Sequence, residues 1–285
     1  MMLDNLLLST ALVGSAIAGI WDLKTTEIPD QVPYAMMAIG IVIHIVKSIV
    51  TSSYVPILNS CIVGLSFLGF GFLMYYTGQW GGGDAKLLSA IGFLLPTFPT
   101  RTMFPFSVSF LLNLFFVGAI YMIIYAIALS FLERDVITRF VNDIKASSKM
   151  LALNFCGVWL TMILSTFLLS KIFYVGLGIS ELLTFSITSI FCILTLFFLL
   201  KFVKAVEEVA FKKKIPVSEL KVGDVLASSR LWEGITKEEL IKIKKSGKKY
   251  VWVKTGVRFG PSFILALIFT IVFGDFLPLL LSLTS

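Results

Sequence analysis

Long stretches of the chain contain no charge at all, and these stretches constrain it more than anything else. Residues 5–21, 31–46, 56–77, 87–100, 102–132, 150–170, 182–200 and 259–274 are apolar windows set between charged boundaries. A helix needs roughly 17–25 such residues to cross the hydrocarbon core of a bilayer. Most of the windows qualify, and 87–100 is short. Backbone in lipid must satisfy its own polar groups, so the spanning forms are helices and closed barrels. Barrel strands alternate apolar and polar residues over about ten positions, whereas these windows are continuous. Composition agrees: 57% of residues are hydrophobic and 14% charged, against about 25% charged in a soluble chain. Disordered chains, secreted disulfide scaffolds and soluble nucleic-acid binders are thereby excluded. The expected fold is an all-α polytopic membrane protein of six to eight transmembrane helices, with eight preferred.

Charge sets the orientation. With eight spans and the N-terminus outside, 21 of the 24 Lys and Arg residues fall on one side, leaving Lys47, Arg101 and Lys171 on the other. By the positive-inside rule the basic side is cytoplasmic. Fewer spans would separate Lys24 and Lys86 from the main basic cluster. The N-terminus Met-Met-Leu-Asp-Asn lacks a basic n-region, so the first window reads as a retained span rather than a signal peptide.

The segment 205–258 differs from the rest, with thirteen basic and seven acidic residues. Thr236 and Glu239 are spaced as a capping box, flanked by Ile235 and Leu240 as a hydrophobic staple, with Gly247 as the helix stop. Tyr250–Val253 and the stretch 217–227 read as short strands. The chain therefore divides into a transmembrane core at 1–132, a loop with additional helices at 133–204, a small α+β cytoplasmic domain at 205–258 and a C-terminal helix at 259–285. The basic surface of the small domain could meet anionic headgroups or an acidic partner, or simply keep a loop soluble. Cys61, Cys156 and Cys192 lie in apolar runs without a CxxC pair and read as buried hydrophobes.

Acidic residues are scarce, and ten of the seventeen belong to the large loops 133–149 and 201–258. Asp22 and Asp84 stand out among the others, because the threading puts both at the cytoplasmic boundary. Asp84 follows Gly81-Gly82-Gly83, a tract costly in a helix but suited to close approach of backbones. Two carboxylates brought together share a proton. One can then deprotonate a water while the other protonates a scissile carbonyl, which hydrolyses a bond without a covalent intermediate. His44 is the only histidine, and neither a Ser/His/Asp set nor a metal cluster is expected; no metal or cofactor is called for. Lys24 and Lys86 stand two residues after each aspartate, on a different helix side. They snorkel to headgroups or contact an acidic group of the substrate, the former being preferred. A rival reading makes Asp22 and Asp84 proton or cation carriers of a transporter, although such groups are usually placed near the midplane between repeated halves, and no repeat is visible. An intramembrane protease and an assembly scaffold are further alternatives.

Gly81-Gly82-Gly83-Asp84 resembles the GxGD motif of the type IV prepilin peptidases. Trp21-Asp-Leu-Lys-Thr-Thr-Glu-Ile-Pro-Asp30 resembles their first-aspartate segment, and the stretch from Lys214 through Trp252 to Phe259 is similar to the cytoplasmic domain of archaeal preflagellin and prepilin peptidases. The resemblance implies a membrane aspartic endopeptidase that removes short basic leaders from archaellin or pilin-like precursors at the cytoplasmic face. It makes Asp22 and Asp84 the catalytic pair, and Gly81 and Gly83 the motif glycines. Asp30 stands where the family commonly has Asn. The paired cysteines of the bacterial enzymes are missing, which argues against their methyltransferase activity. The implied partners are the precursor protein and the lipid bilayer, with no nucleic acid, and no oligomeric state is assigned.

Overall fold

The computed structural model describes residues 2–278 apart from Arg101 and 173–177. Arg101 and the end of the expected 259–285 segment therefore lie outside the described residues. The chain is a multi-pass helical membrane protein. It divides into two compact units, one formed by Met1–Tyr125 with Lys212–Ser285, the other by Ala126–Phe211.

The first unit opens with α1 (Met2–Thr25), α2 (Gln31–Val50) and α3 (Val55–Tyr76), followed by the short α4 (Gly82–Leu94) and the beginning of α5 (Phe106–Leu132). It closes with β1 (Lys212–Pro216), β2 (Val225–Leu226), α8 (Lys237–Lys245), β3 (Tyr250–Lys254) and α9 (Pro261–Phe273). Five helical stretches are long and apolar enough to cross a membrane: α1, α2, α3, α5 and Leu183–Phe211. The apolar run Phe155–Leu168 and α9 are shorter. Each of the eight expected windows contains a helix, but 87–100 is helical only as far as Leu94 and α5 begins only at Phe106.

The most enclosed helix is a short one. α4 has 13 residues, about 20 Å at 1.5 Å per residue, short of the roughly 30 Å of a hydrocarbon core. Yet Ala85, Leu87, Leu88, Ser89, Ala90 and Leu94 are all fully buried. A helix that stops inside a bundle leaves its last carbonyls without partners, and neighbouring helices supply them. His44 of α2 bonds the Leu94 carbonyl at 3.2 Å, and the Ser60 hydroxyl of α3 donates to the Phe93 carbonyl at 2.7 Å. The lone histidine thus holds the C-terminus of α4. Ser60→Ala leaves that buried carbonyl without its donor and is expected to cost about 1–3 kcal/mol. Thermal unfolding in detergent, with exposed Ser218→Ala as control, measures the loss.

Around α4, the core joins Leu7, Ala11 and Ala18 of α1, Met36 and Ile43 of α2, Phe110 and Leu114 of α5, and Phe263, Ala266 and Leu267 of α9. Asn113 of α5 donates to the Thr270 hydroxyl and the Gly274 carbonyl at 2.9 and 2.7 Å, which closes the end of α9 in the same way.

The sheet is antiparallel in the order β1-β3-β2. Only part of it follows the expectation. Tyr250–Val253 is strand, but within 217–227 only Val225 and Leu226 are, and β1 falls on Lys-Lys-Lys-Ile-Pro. Residues 217–224 are taken by turns around Gly223, at φ +97, and β1 lacks the alternation that marks a half-buried strand. The capping box forms as expected: the Thr236 N–H donates to Glu239 Oε2 at 2.8 Å, and the Glu239 N–H returns to Thr236 Oγ1 at 3.3 Å. Gly247 stops the helix at φ +73.

In the second unit, α6 (Arg134–Ile172) and α7 (Ile179–Val206) pair as antiparallel helices, and α7 runs on into a π-helical turn, Glu207–Phe211. A small core of Ala126, Val136, Ala205 and Val206 is sealed by Phe140 against Phe202, edge to face at 5.6 Å. Arg139 grips Glu208 Oε2 from both Nε and Nη2. Cys156 and Cys192 are exposed rather than buried, while Cys61 is half-buried. On helices bound for lipid, exposure to the surroundings is exposure to apolar chains, so all three remain in keeping with small hydrophobes.

Candidate functional site

Asp22 sits in the last turn of α1 and is buried, 5% exposed. Asp84 is the third residue of α4 and is half-buried. Both line one cavity of about 530 Å³ in the first unit. Its walls come from the α1–α2 connection, the glycine tract, Met122 of α5, the turn Gly223–Val225, Trp232 and the connector Lys254–Phe259.

Each aspartate is held by one backbone N–H. The Gly81 N–H donates to Asp84 Oδ2 at 3.0 Å, and the Gly260 N–H donates to Asp22 Oδ2 at 2.7 Å. The first bond is local, for Gly81 is extended and starts the helix; the second reaches across the whole sequence. A Cβ on Gly260 would lie 2.9 Å from Asp22 Cβ, so only glycine brings this N–H so near. Arg258 stands within electrostatic reach of Asp22, with its Nη1 3.5 Å from the Tyr125 hydroxyl and its carbonyl accepting from the Tyr121 hydroxyl at 2.9 Å. Burial, and after it the charge of Asp22, push the Asp84 carboxyl up to about 7. A carboxyl with that value keeps a substantial share of its proton at neutral pH.

The glycine tract approaches its neighbours as closely as expected at Gly83, where a Cβ would lie 2.8 Å from Ile28 Cβ. Ile28 is buried in the α1–α2 connection, so this contact fastens the segment of Asp84 to that of Asp22. Ahead of the tract, buried Trp80 is packed among Phe70, Phe115, Phe259 and Phe263, all with ring centroids within 6.1 Å.

The two lysines do not behave alike. Lys24 is exposed. Lys86, instead of snorkelling, pairs with Asp30 at 2.6 Å and lies 5.5 Å from the Tyr34 ring centroid. Asp30, the position that departs from the family pattern, is its partner. The pair is partly exposed, and ion pairs of that kind contribute little to stability; it does fix Lys86 against α2. Among the described residues no group of three or more His, Cys, Asp or Glu side chains could hold a metal ion.

Sequence reasoning missed Trp80, Trp232, Arg258 and Gly260. Trp80 stands beside the tract, but its role comes from aromatic packing with distant helices; Trp232, Arg258 and Gly260 are far from the aspartates along the chain, although the segment through Phe259 is part of the resemblance.

The stretch that carries both aspartates and the glycine tract, residues 9–127, matches the type IV leader peptidase family. Its relatives include a preflagellin peptidase of Methanococcus voltae, 33% identical over 129 residues, 42% of this chain and 54% of the relative. A preflagellin peptidase of Methanocaldococcus jannaschii is 33% identical over 86 residues, 30% of this chain and 36% of the relative. A prepilin peptidase of Methanothermobacter thermautotrophicus is 22% identical over 205 residues, 66% of this chain and 53% of the relative. The chain thus spans about half, or less, of the length of the curated relatives it matches. Within the leader peptidase segment lie the cavity walls contributed by α1, the glycine tract and α5.

Proposed function

We propose that this protein is a membrane aspartic endopeptidase that cleaves the short basic leader from archaellin-like or type IV pilin-like precursors. The observation that carries the reading is the meeting of Asp22 and Asp84 in one cavity, within a segment of the leader peptidase family. The distribution of Lys and Arg supports a site on the cytoplasmic face of the cell membrane, with the N-terminus outside.

In this reading Asp22 is the base and Asp84 holds the proton. Asp22 takes a proton from water as its oxygen attacks the scissile carbonyl, and Asp84 protonates the carbonyl oxygen. The resulting diol collapses as Asp84 recovers its proton, Asp22 passes the proton it took to the leaving nitrogen, and the C–N bond breaks. Both carboxyls return to their starting states. Gly81 and Gly83 set the backbone around Asp84. Lys86 orders α2 beside the site through Asp30, and Lys24 remains available to headgroups or substrate. An apolar precursor helix resting in lipid presents its leader junction at this depth, which lowers the entropic cost of alignment.

The test is cleavage of archaellin-type and pilin-type precursors by the protein in liposomes, with the cut located by mass spectrometry. Release of an intact leader is expected. Failure to cut either precursor, with the protein folded, overturns the reading. The pH profile adds a second check. Asp84 must be protonated to act, so the rate is expected to fall as pH rises through about 7, the point at which that proton is lost. A rate still rising above pH 8 contradicts the assignment of the proton to Asp84.

A further inference from the structure

We infer that the sheet module sets the separation of the two aspartates, with Trp232 as the positioning residue on the Asp84 side and the connector after β3 on the Asp22 side. The inference is geometric. It rests on the proposed peptidase activity only where the rate is the readout.

One arm of the module rests on the segment that leads into the glycine tract. The Trp232 indole N–H donates to the Gly78 carbonyl at 3.0 Å, and the Tyr75 hydroxyl is hydrogen-bonded to the Glu233 carboxylate. Gly78 turns the chain at φ +78, and a Cβ there would lie 2.7 Å from the Arg230 carbonyl oxygen. Arg230, Trp232 and Glu233 thus seat together on the end of α3 and the start of the loop that carries Trp80 and Asp84. The other arm is the connector from β3 into α9. It delivers the Gly260 N–H to Asp22 and passes beside the α1–α2 connection, where a Cβ on Gly256 would lie 3.8 Å from the Thr26 carbonyl oxygen.

The arms are braced to each other inside the module. Lys254, the last residue of β3, donates to the Ser229 carbonyl at 2.7 Å and lies 4.2 Å from the Trp232 ring centroid. The Ala227 N–H donates to the Trp252 carbonyl at 2.8 Å, which ties β2 to β3. The loop after β2 therefore grips the chain ahead of Asp84, and the connector after β3 leads into the Gly260 N–H on Asp22, which the start of α9 also seats against Gly19 of α1. A part that only made the loop soluble would need neither grip.

Trp232→Phe removes the indole N–H and keeps a ring beneath Lys254. Its expected effect is a roughly tenfold fall in kcat, since misplacement by about 1 Å can cost 10²-fold and one lost hydrogen bond moves the loop by less. KM for the precursor stays within about twofold. The fall of the rate at high pH moves below its wild-type position, because a more distant Asp22 charge raises Asp84 less. Glu27, Asp224 and Lys254, the other titratable groups lining the cavity, are unchanged by the substitution. A loss of activity in proportion to lost folded protein, with pH profile and KM unmoved, indicates a staple of the fold and overturns the inference. Tyr75→Phe, at a half-buried position less demanding for folding, should shift both parameters in the same direction by a smaller amount.

A readout independent of cleavage uses spin labels at the exposed positions Leu23 and Gln79, one beside each aspartate segment, with the native cysteines replaced by serine. Trp232→Phe is expected to lengthen or broaden the distance distribution between the labels. An unchanged distribution overturns the inference even if the precursors are cut normally. A changed one supports it even if no precursor is cut, in which case only the peptidase reading fails.

Discussion

Asp22→Asn and Asp84→Asn are each expected to reduce leader cleavage by about 10²–10⁴-fold, the range associated with a positioned acid or base. Asparagine keeps the shape of aspartate and an amide oxygen to accept the N–H of Gly260 or Gly81, so the fold should persist. It cannot take a proton from water, nor give one to a carbonyl oxygen. The two groups act as one unit in the proposed cycle, so the double variant should be little worse than either single one. The measurement is initial cleavage rate in liposomes at equal folded protein. Near-normal cleavage by either single variant shows that the pair is not the catalytic dyad, and a double variant far slower than both singles separates their roles into independent steps.

The helical frame was legible because its cause is one-dimensional. A charge-free run long enough to cross lipid has few ways to satisfy its backbone, and each such run holds a helix here. The capping box was legible for the same reason: Thr236 and Glu239 meet within one turn. The distribution of Lys and Arg also placed Asp22 and Asp84 at one expected boundary, and the two line one cavity. Local patterns could not report what arrives from afar. Gly260 is followed by proline at the start of a helix, which reads as an ordinary helix entry, yet its N–H is the hydrogen bond on Asp22. Trp232 lies in a loop with no periodicity. Lys86 looked like a headgroup lysine because its partner, Asp30, is two helices away along the chain although adjacent in space. The strand β1 was hidden by three lysines, whose place in a sheet is decided by pairing with β3 rather than by their own preference.

The glycine tract offers the sharpest contrast between neighbouring positions. Gly83→Val is expected to lower kcat by about 10²-fold or more, and Gly82→Ala to leave the rate within a few-fold of wild type. A Cβ at position 83 falls 2.8 Å from Ile28 Cβ, a branched carbon next to the main chain that cannot swing aside. The backbone has to give way, and what it carries on either side is Asp22 and Asp84. Valine adds two methyl groups to the same contact. Displacements near 1 Å at a reacting centre cost about 10²-fold, so neither carboxylate needs to be altered for the rate to collapse. At position 82 the nearest atom to a new Cβ is Tyr75 Cε2 at 3.9 Å, an ordinary contact, and alanine improves the helix by roughly 1 kcal/mol over glycine. The comparison is made by cleavage kinetics and thermal unfolding on the two variants together. Equal tolerance at both positions removes the contact between Gly83 and Ile28 as the determinant of dyad geometry. Equal loss at both assigns the requirement to backbone freedom of the whole tract.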